Sequence, residues 1–114
     1  MRFINTKTNI SITPAQETRL KTDFGKAISL IPGKSESWLM LNFEPESHMY
    51  FRGDGAAPCA IIEVKIYGSA SRTAYDNLTE KLTYIVNDVL SVPTDRIYIK
   101  YDEVQNWGYN GNNF

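Results

Sequence analysis

Three cationic side chains are the residues that could do chemistry together in this sequence. Arg2 stands against the amino end of the chain, Lys34 follows Pro32-Gly33, and Lys100 lies in RIYIKY at 96–101. Guanidinium and ammonium groups hold carboxylates or phosphates through charge-assisted hydrogen bonds, so an anion site is one reading of the three. A lysine after a glycine turn reads equally well as a solvated loop residue. Other chemistries are poorly supplied. Cys59 is the single cysteine and His48 the single histidine. That leaves no internal disulfide, no metal site built from several cysteines and no thiol pair for redox exchange, and it makes a Ser-His-Asp hydrolase a poor fit. No metal or cofactor is expected. His48, in the loop SHMYFRGDG, reads as a solvated side chain.

The charge pattern narrows the partners. Twelve Lys and Arg against thirteen Asp and Glu give a formal net charge of -1, and the basic residues are scattered, so neither nucleic acid nor an anionic membrane has an electrostatic footprint. No run approaches the ~18 apolar residues of a membrane span, and MRFINTKTNI has no apolar core of a signal peptide. The expectation is a cytoplasmic protein, with release possible only by a route that needs no signal peptide. A length of 114 residues with 42% hydrophobic content suits one folded domain, residues 1–114.

The elements that must position the cations follow from periodicity. Phe3 to Ile12 is short, Thr-rich and β-branched, which suits a strand. Thr13-Pro14-Ala15-Gln16 combines an N-cap, a proline at the first helical position and a Gln three residues after the cap. Leu20, Phe24, Ala27, Ile28 and Ile31 then recur at helical spacing until Pro32-Gly33. WLMLNFE, 38–44, reads as a buried strand. CAIIEVKIY, 59–67, alternates, with Ala60, Ile62, Val64 and Ile66 on one face and Cys59, Ile61, Glu63, Lys65 and Tyr67 on the other. A second helix presents Tyr75, Leu78, Leu82, Ile85, Val86 and Val89 and ends at Ser91-Val92-Pro93. In RIYIKY, Ile97, Ile99 and Tyr101 share one side, and Arg96, Tyr98 and Lys100 the other.

Strand, helix, strand thus occurs twice, with pseudo-repeats at about 1–57 and 58–114. Each crossover is long enough to return parallel and right-handed. The expected fold is α/β: a two-layer sandwich of duplicated βαβ units with both helices on the apolar sheet face. The opposite face carries Ile61, Tyr67 and Tyr98 among its charges and has no helix to cover it, so oligomerisation is expected.

The chain resembles the macrophage migration inhibitory factor family of the tautomerase superfamily over essentially its whole length. The matching stretches are Thr8-Asn9-Ile10, Pro32-Gly33-Lys34, Met49-Tyr50-Phe51 running to Pro58-Cys59-Ala60, Asp95-Arg96-Ile97-Tyr98-Ile99, and Asn106-Trp107-Gly108-Tyr109-Asn110-Gly111. The resemblance implies a homotrimer whose three sheets enclose a channel, with sites at the subunit boundaries. It implies keto-enol tautomerisation of small aromatic α-keto acids such as phenylpyruvate, or of dopachrome-type compounds, by an N-terminal proline exposed when the initiator Met is removed. Arg2 occupies that proline position.

The substitution matters physically. A proton shuttle needs a pKa near the working pH, which a desolvated terminal amine supplies and a guanidinium does not. Initiator Met is removed before small residues, so Met1 is expected to stay before Arg2. By the same resemblance Lys34 faces the substrate carboxylate, and Tyr98 is a pocket tyrosine from a neighbouring subunit. Trp38, Tyr109 and Phe114 are apolar walls, Tyr67 stands at the site edge, Lys100 replaces a neutral amide, and Lys65 counts with the substrate-binding positions. Tyr67 and Tyr98 also read as interface residues, and Trp107 with Asn110-Gly111 as a tail turn and packing anchor. Arg2 itself reads as a loss of function, a substrate clamp or an introduced substitution. Two function classes stay open: a tautomerase homologue with weak or absent activity, and a non-catalytic, cytokine-like binding protein that works through a protein receptor.

Overall fold

The computed structural model describes residues 1–114. In chain order the elements are β1 (Arg2–Thr8), α1 (Pro14–Ala27), β2 (Leu39–Glu44), β3 (Ala60–Tyr67), α2 (Arg72–Leu90), β4 (Ile97–Val104) and a tail hairpin of β5 (Gly108–Tyr109) and β6 (Asn112–Asn113). The four long strands form one mixed sheet in the order β2-β1-β3-β4. β1 runs parallel to β2, β3 parallel to β4, and the two pairs meet antiparallel through β1 and β3. Each parallel pair is joined by its own helix, as a crossover of this length requires.

Local signals start the helices where the sequence places them. Thr13 caps α1 with its side chain on the Gln16 amide, and the Gln16 side chain returns to the Thr13 N–H at 2.9 Å, a complete capping box. Ser71 caps α2 through the Ala74 amide. α2 ends at Ser91, which adopts a left-handed conformation at φ 58°. Both apolar stripes close on the inward residues of β3. Leu20, Phe24 and Ile28 from the first helical segment and Leu78, Leu82 and Val86 from α2 share one buried cluster with Ile62, Val64 and Ile66. No helix is long and apolar enough to cross a membrane.

Three of the boundaries that differ from the sequence reading have a clear physical cause. β1 stops at Thr8 rather than Ile12 because Asn9 turns aside. Its amide donates to the Ala57 carbonyl and accepts from the Cys59 N–H, both at 2.9 Å. β2 starts at Leu39, since Ser35 caps a short 3₁₀ turn over Glu36–Trp38 and lifts Trp38 off the strand. Arg96 is not on the outer face with Tyr98 and Lys100. It ends a 3₁₀ turn, Thr94–Arg96, and its guanidinium donates to the carbonyls of Pro58, Phe51, Asp54 and Ala57 at 2.9–3.3 Å. Tyr75, grouped with the apolar stripe, is half-buried. Its hydroxyl donates to Glu103 at 2.6 Å, and burial followed by that bond pushes its pKa up to about 12.

The outer sheet face is polar across its middle. Asn42, Asn5, Glu63 and Lys100 lie side by side on the four strands. Asn5 links them by donating to Glu44 at 2.8 Å and accepting from Asn42 at 2.8 Å.

Arg96 is the only tie between β4 and the 51–58 loop that spends a charge on several carbonyls. Arg96→Met is therefore expected to lower stability by about 2–4 kcal/mol, since hydrogen bonds to a charged group are individually strong but not additive. Arg96→Lys should recover little, because one ammonium lacks the guanidinium fork. Equilibrium denaturation checks both, and an unmoved midpoint would show that the loop holds without the arginine.

Candidate functional site

At one end of the sheet β1 begins and β3 ends, and three chain segments converge there through backbone groups. The Tyr67 N–H donates to the Met1 carbonyl at 2.9 Å, closing the last rung of the β1–β3 ladder. The Tyr67 carbonyl accepts from Lys34 Nζ at 3.1 Å. Lys34 reaches it from the turn after α1, where the Lys34 N–H closes on the Ile31 carbonyl at 3.0 Å and Gly33 takes φ 77°. The glycine serves that positive φ directly.

Above this junction lies a cavity of about 600 Å³. Trp38, Tyr67, Tyr109 and Phe114 supply its aromatic walls with Met1, and Asn110, Asn112 and Asn113 line the tail side. The rings brace one another: Trp38 meets Tyr109 edge-on at 5.1 Å, and Phe114 lies 5.8 Å from Tyr67 and stacks at 6.4 Å on Tyr109. The tail is held there by its hairpin, whose turn residues Asn110 and Gly111 both have positive φ. Phe114 N–H then bonds the Trp107 carbonyl at 3.0 Å. A second cavity of about 480 Å³ shares Met1, Trp38 and Tyr109 and adds Arg2, Phe3, Met40, Lys65 and Trp107. Neither cavity is lined by an acidic residue.

The electrostatics are one-sided. Burial, then the charges of Arg2 and Lys34, hold the Met1 amino group below the ordinary 8.0. Burial and the Arg2 charge hold Lys34 below 10.5. Burial also lowers Arg2. Each shift reports a cation that lacks an opposite charge.

The structure gathers some of the sequence candidates and separates others. Trp38, Tyr67, Tyr109 and Phe114 line the larger cavity, and Lys34, which lines neither, joins them through the Tyr67 carbonyl. Arg2 is there too, but not as a wall of the larger cavity. It pairs in register with Ile66, an inward residue, so it faces the helices and is only 3% exposed. Tyr98 is 62% exposed beside Phe51 and pairs with Ile61, six positions from Tyr67. At ~3.3 Å per residue that is roughly 20 Å from the cavity. Lys100 and Lys65 both lean on Asp102, at 3.3 and 3.8 Å, on the outer face. Of these two only Lys65 lines a cavity. Sequence reasoning missed Met1 and the three tail asparagines as lining groups. The run YNGNNF signals the turn but not what its side chains would face.

Comparison with known proteins identifies the family and the fold. The family model for macrophage migration inhibitory factor (MIF) matches residues 1–114. The macrophage migration inhibitory factor of Xenopus laevis is 28% identical over 116 residues, covering 100% of this chain and 99% of that protein. Among solved structures, Leishmania major MIF2 superposes with a TM-score of 0.92 at 25% identity, covering 100% of this chain and 97% of the other. A MIF homologue from Prochlorococcus marinus gives 0.88 at 27%, covering 98% of each.

The coupling of the cations is measurable. Lys34 has a folded-state pKa below its unfolded value, so its charged form is penalised in the folded state at neutral pH. The penalty is relieved as pH rises through the folded pKa toward 10.5, and stability should climb over that window. Arg2→Met should move the Lys34 titration upward, though still short of the free value because burial persists. NMR titration of the ¹³C-methylated lysines would read this, and an unmoved Lys34 resonance would place the Arg2 charge too far away to matter.

Proposed function

The chain belongs to the macrophage migration inhibitory factor family, and on that premise we propose that it is a homotrimeric, tautomerase-type protein that binds small aromatic α-keto acids and turns them over weakly. The observation that carries this reading is Lys34 Nζ held on the carbonyl of Tyr67, a residue that walls the aromatic cavity. A ligand carboxylate can take up the ammonium's remaining donors while its ring lies among Trp38, Tyr109 and Phe114. An aromatic wall and a single charge-assisted contact are the usual elements of such a site.

Keto-enol exchange needs a base for the carbon-bound proton and an acid for the carbonyl oxygen. Arg2 offers neither at neutral pH, since its guanidinium stays protonated. When the chain starts at Met1, the amine there is primary and one residue farther out than a proline at position 2 would place it. Burial and the charges of Arg2 and Lys34 lower its pKa, which makes it a displaced base and predicts a slow reaction. Tyr98 lies too far from Lys34 to serve the same cavity within one chain, so its part in a site requires the neighbouring subunit. The exposed outer face, with Met40 at 68% and Tyr98 at 62% exposure on opposite edge strands, favours such a neighbour.

Phenylpyruvate tautomerisation tests the chemistry. In a chain expressed from Met1, Arg2→Pro should permit removal of the initiator Met and raise the rate by at least about two orders of magnitude, the scale of general acid–base catalysis. Mass spectrometry showing Met1 gone, with the rate still at background, would move the protein to the binding class. Lys34→Ala should weaken an aromatic carboxylate about tenfold or more, matching the ~1.5–3 kcal/mol of a charge-assisted bond. Sedimentation equilibrium should return a trimer, and a stable monomer would remove the shared-site account of Tyr98.

A further inference from the structure

The larger cavity is bordered by a single amine. Among its lining residues only Met1 carries a basic nitrogen, since Asn110, Asn112 and Asn113 are amides and the others are aromatic. Met1 also lines the smaller cavity, where with Trp38 and Tyr109 it forms the wall common to both. Its carbonyl accepts from the Tyr67 N–H at 2.9 Å, which holds the residue at the end of the β1–β3 ladder. Its amino group makes no backbone hydrogen bond and no ion pair. The two lysines nearby are engaged elsewhere. Lys34 donates to the Tyr67 carbonyl and lines neither cavity. Lys65 lines the smaller one but leans on Asp102 at 3.8 Å.

An unpaired amine at an aromatic cavity is a nucleophile as well as a base. In the chain that starts at Met1 this amine is primary, so it can condense with a carbonyl and end as a neutral imine, which a secondary amine cannot. We propose that Met1 captures the carbonyl carbon of aromatic α-keto acids, and of aromatic aldehydes, as a reversible imine. The inference rests on the aromatic-cavity reading above and adds a covalent step to it. The nitrogen lone pair attacks the carbonyl carbon, a C–N bond forms, and the C=O π electrons pass to oxygen. A proton moves from nitrogen to that oxygen and gives the carbinolamine. Protonation of its hydroxyl from solvent, loss of water and release of the remaining N–H proton leave C=N. Amine and ketone thus give imine and water, with nothing oxidised or reduced. The attack requires the uncharged amine. Burial, followed by the charges of Arg2 and Lys34, lowers the Met1 pKa and enlarges the uncharged fraction at neutral pH.

Reductive trapping reads the adduct. The full chain expressed from Met1 is incubated with phenylpyruvate and sodium cyanoborohydride, which fixes an imine as a secondary amine, and mass spectrometry of the digest locates the label. Met1 should be labelled about tenfold or more faster in the folded protein than in a synthetic peptide of its first residues, a small part of the advantage that holding two reactants together supplies. Phenylacetate, which has the ring and the carboxylate but no ketone, should slow the labelling by competition, and its own binding is measured calorimetrically. Arg2→Met should move the pH midpoint of labelling upward, because one of the charges that lower the amine is gone. Equal rates in protein and peptide would overturn the inference. Labelling that bound phenylacetate leaves unchanged would also overturn it, by placing the amine outside the cavity, as would a label found on a lysine instead of Met1. Phenylacetate binding without any Met1 adduct would leave the aromatic-carboxylate reading standing and remove only the covalent step. Absence of both binding and adduct would remove the two together.

Discussion

The strict alternation of β3 is the constraint on which both layers of the structure depend. Ala60, Ile62, Val64 and Ile66 are all buried, and each passes the same requirement to the residue beside it on β1. Antiparallel register sets Thr8 against Ala60, Thr6 against Ile62, Ile4 against Val64 and Arg2 against Ile66. Only Ile4 among those four is apolar. A one-residue slip would bury Phe3 but would also bring Asn5 and Lys7 inward and break the Asn5 bonds to Glu44 and Asn42. The register is therefore chosen by the polar residues on the outer face as much as by the core. Its consequence at the strand's first residue is a guanidinium turned toward the helices.

The cavity depends on where regular structure is interrupted. Trp38 becomes a wall because the Ser35 cap starts a 3₁₀ turn and takes it out of the sheet. Lys34 meets Tyr67 because Gly33 permits the positive φ that reverses the chain after the first helical segment. Phe114 and Tyr109 arrive through a two-residue hairpin whose Asn-Gly turn matches the right-handed twist of its strands. Lys34 ends on the Tyr67 carbonyl and Phe114 on its ring, and Trp38 joins them through Tyr109. The side chain that most resembles a bystander in the strand pattern is the hub of the site.

The outer face has a different logic from the core. Its central row of Asn42, Asn5, Glu63 and Lys100 gives the sheet a polar surface where a second helical layer would otherwise lie. Charges there are arranged in exposed pairs such as Lys7 with Glu63 at 3.7 Å and Lys100 with Asp102 at 3.3 Å. Pairs of this kind contribute little to stability, but they set the potential of the face. Its most exposed apolar residues, Met40 and Tyr98, stand on the two edge strands, while Phe3 and Ile61 on the central strands are half-buried.

Amino-acid order by itself determined the helices, the inward set of β3 and the turn at Asn110-Gly111. Each of these rests on interactions only a few residues long: a capping box, a period of 3.6 or 2, a positive φ. It also carried the family resemblance, because short stretches from Thr8 to Gly111 keep their order along the chain. Tertiary structure decided what depends on contacts between distant segments. Asn9 ended β1 by bonding to residues about fifty positions away, and Arg96 left its strand to hold four carbonyls that no local pattern announces. The inward aim of Arg2 followed from a register shared with Ile66, and its lack of a partner followed from every carboxylate lying elsewhere. Periodicity is local and can be read along the chain. Which charge meets which, and which meets none, is fixed only when the chain has closed on itself.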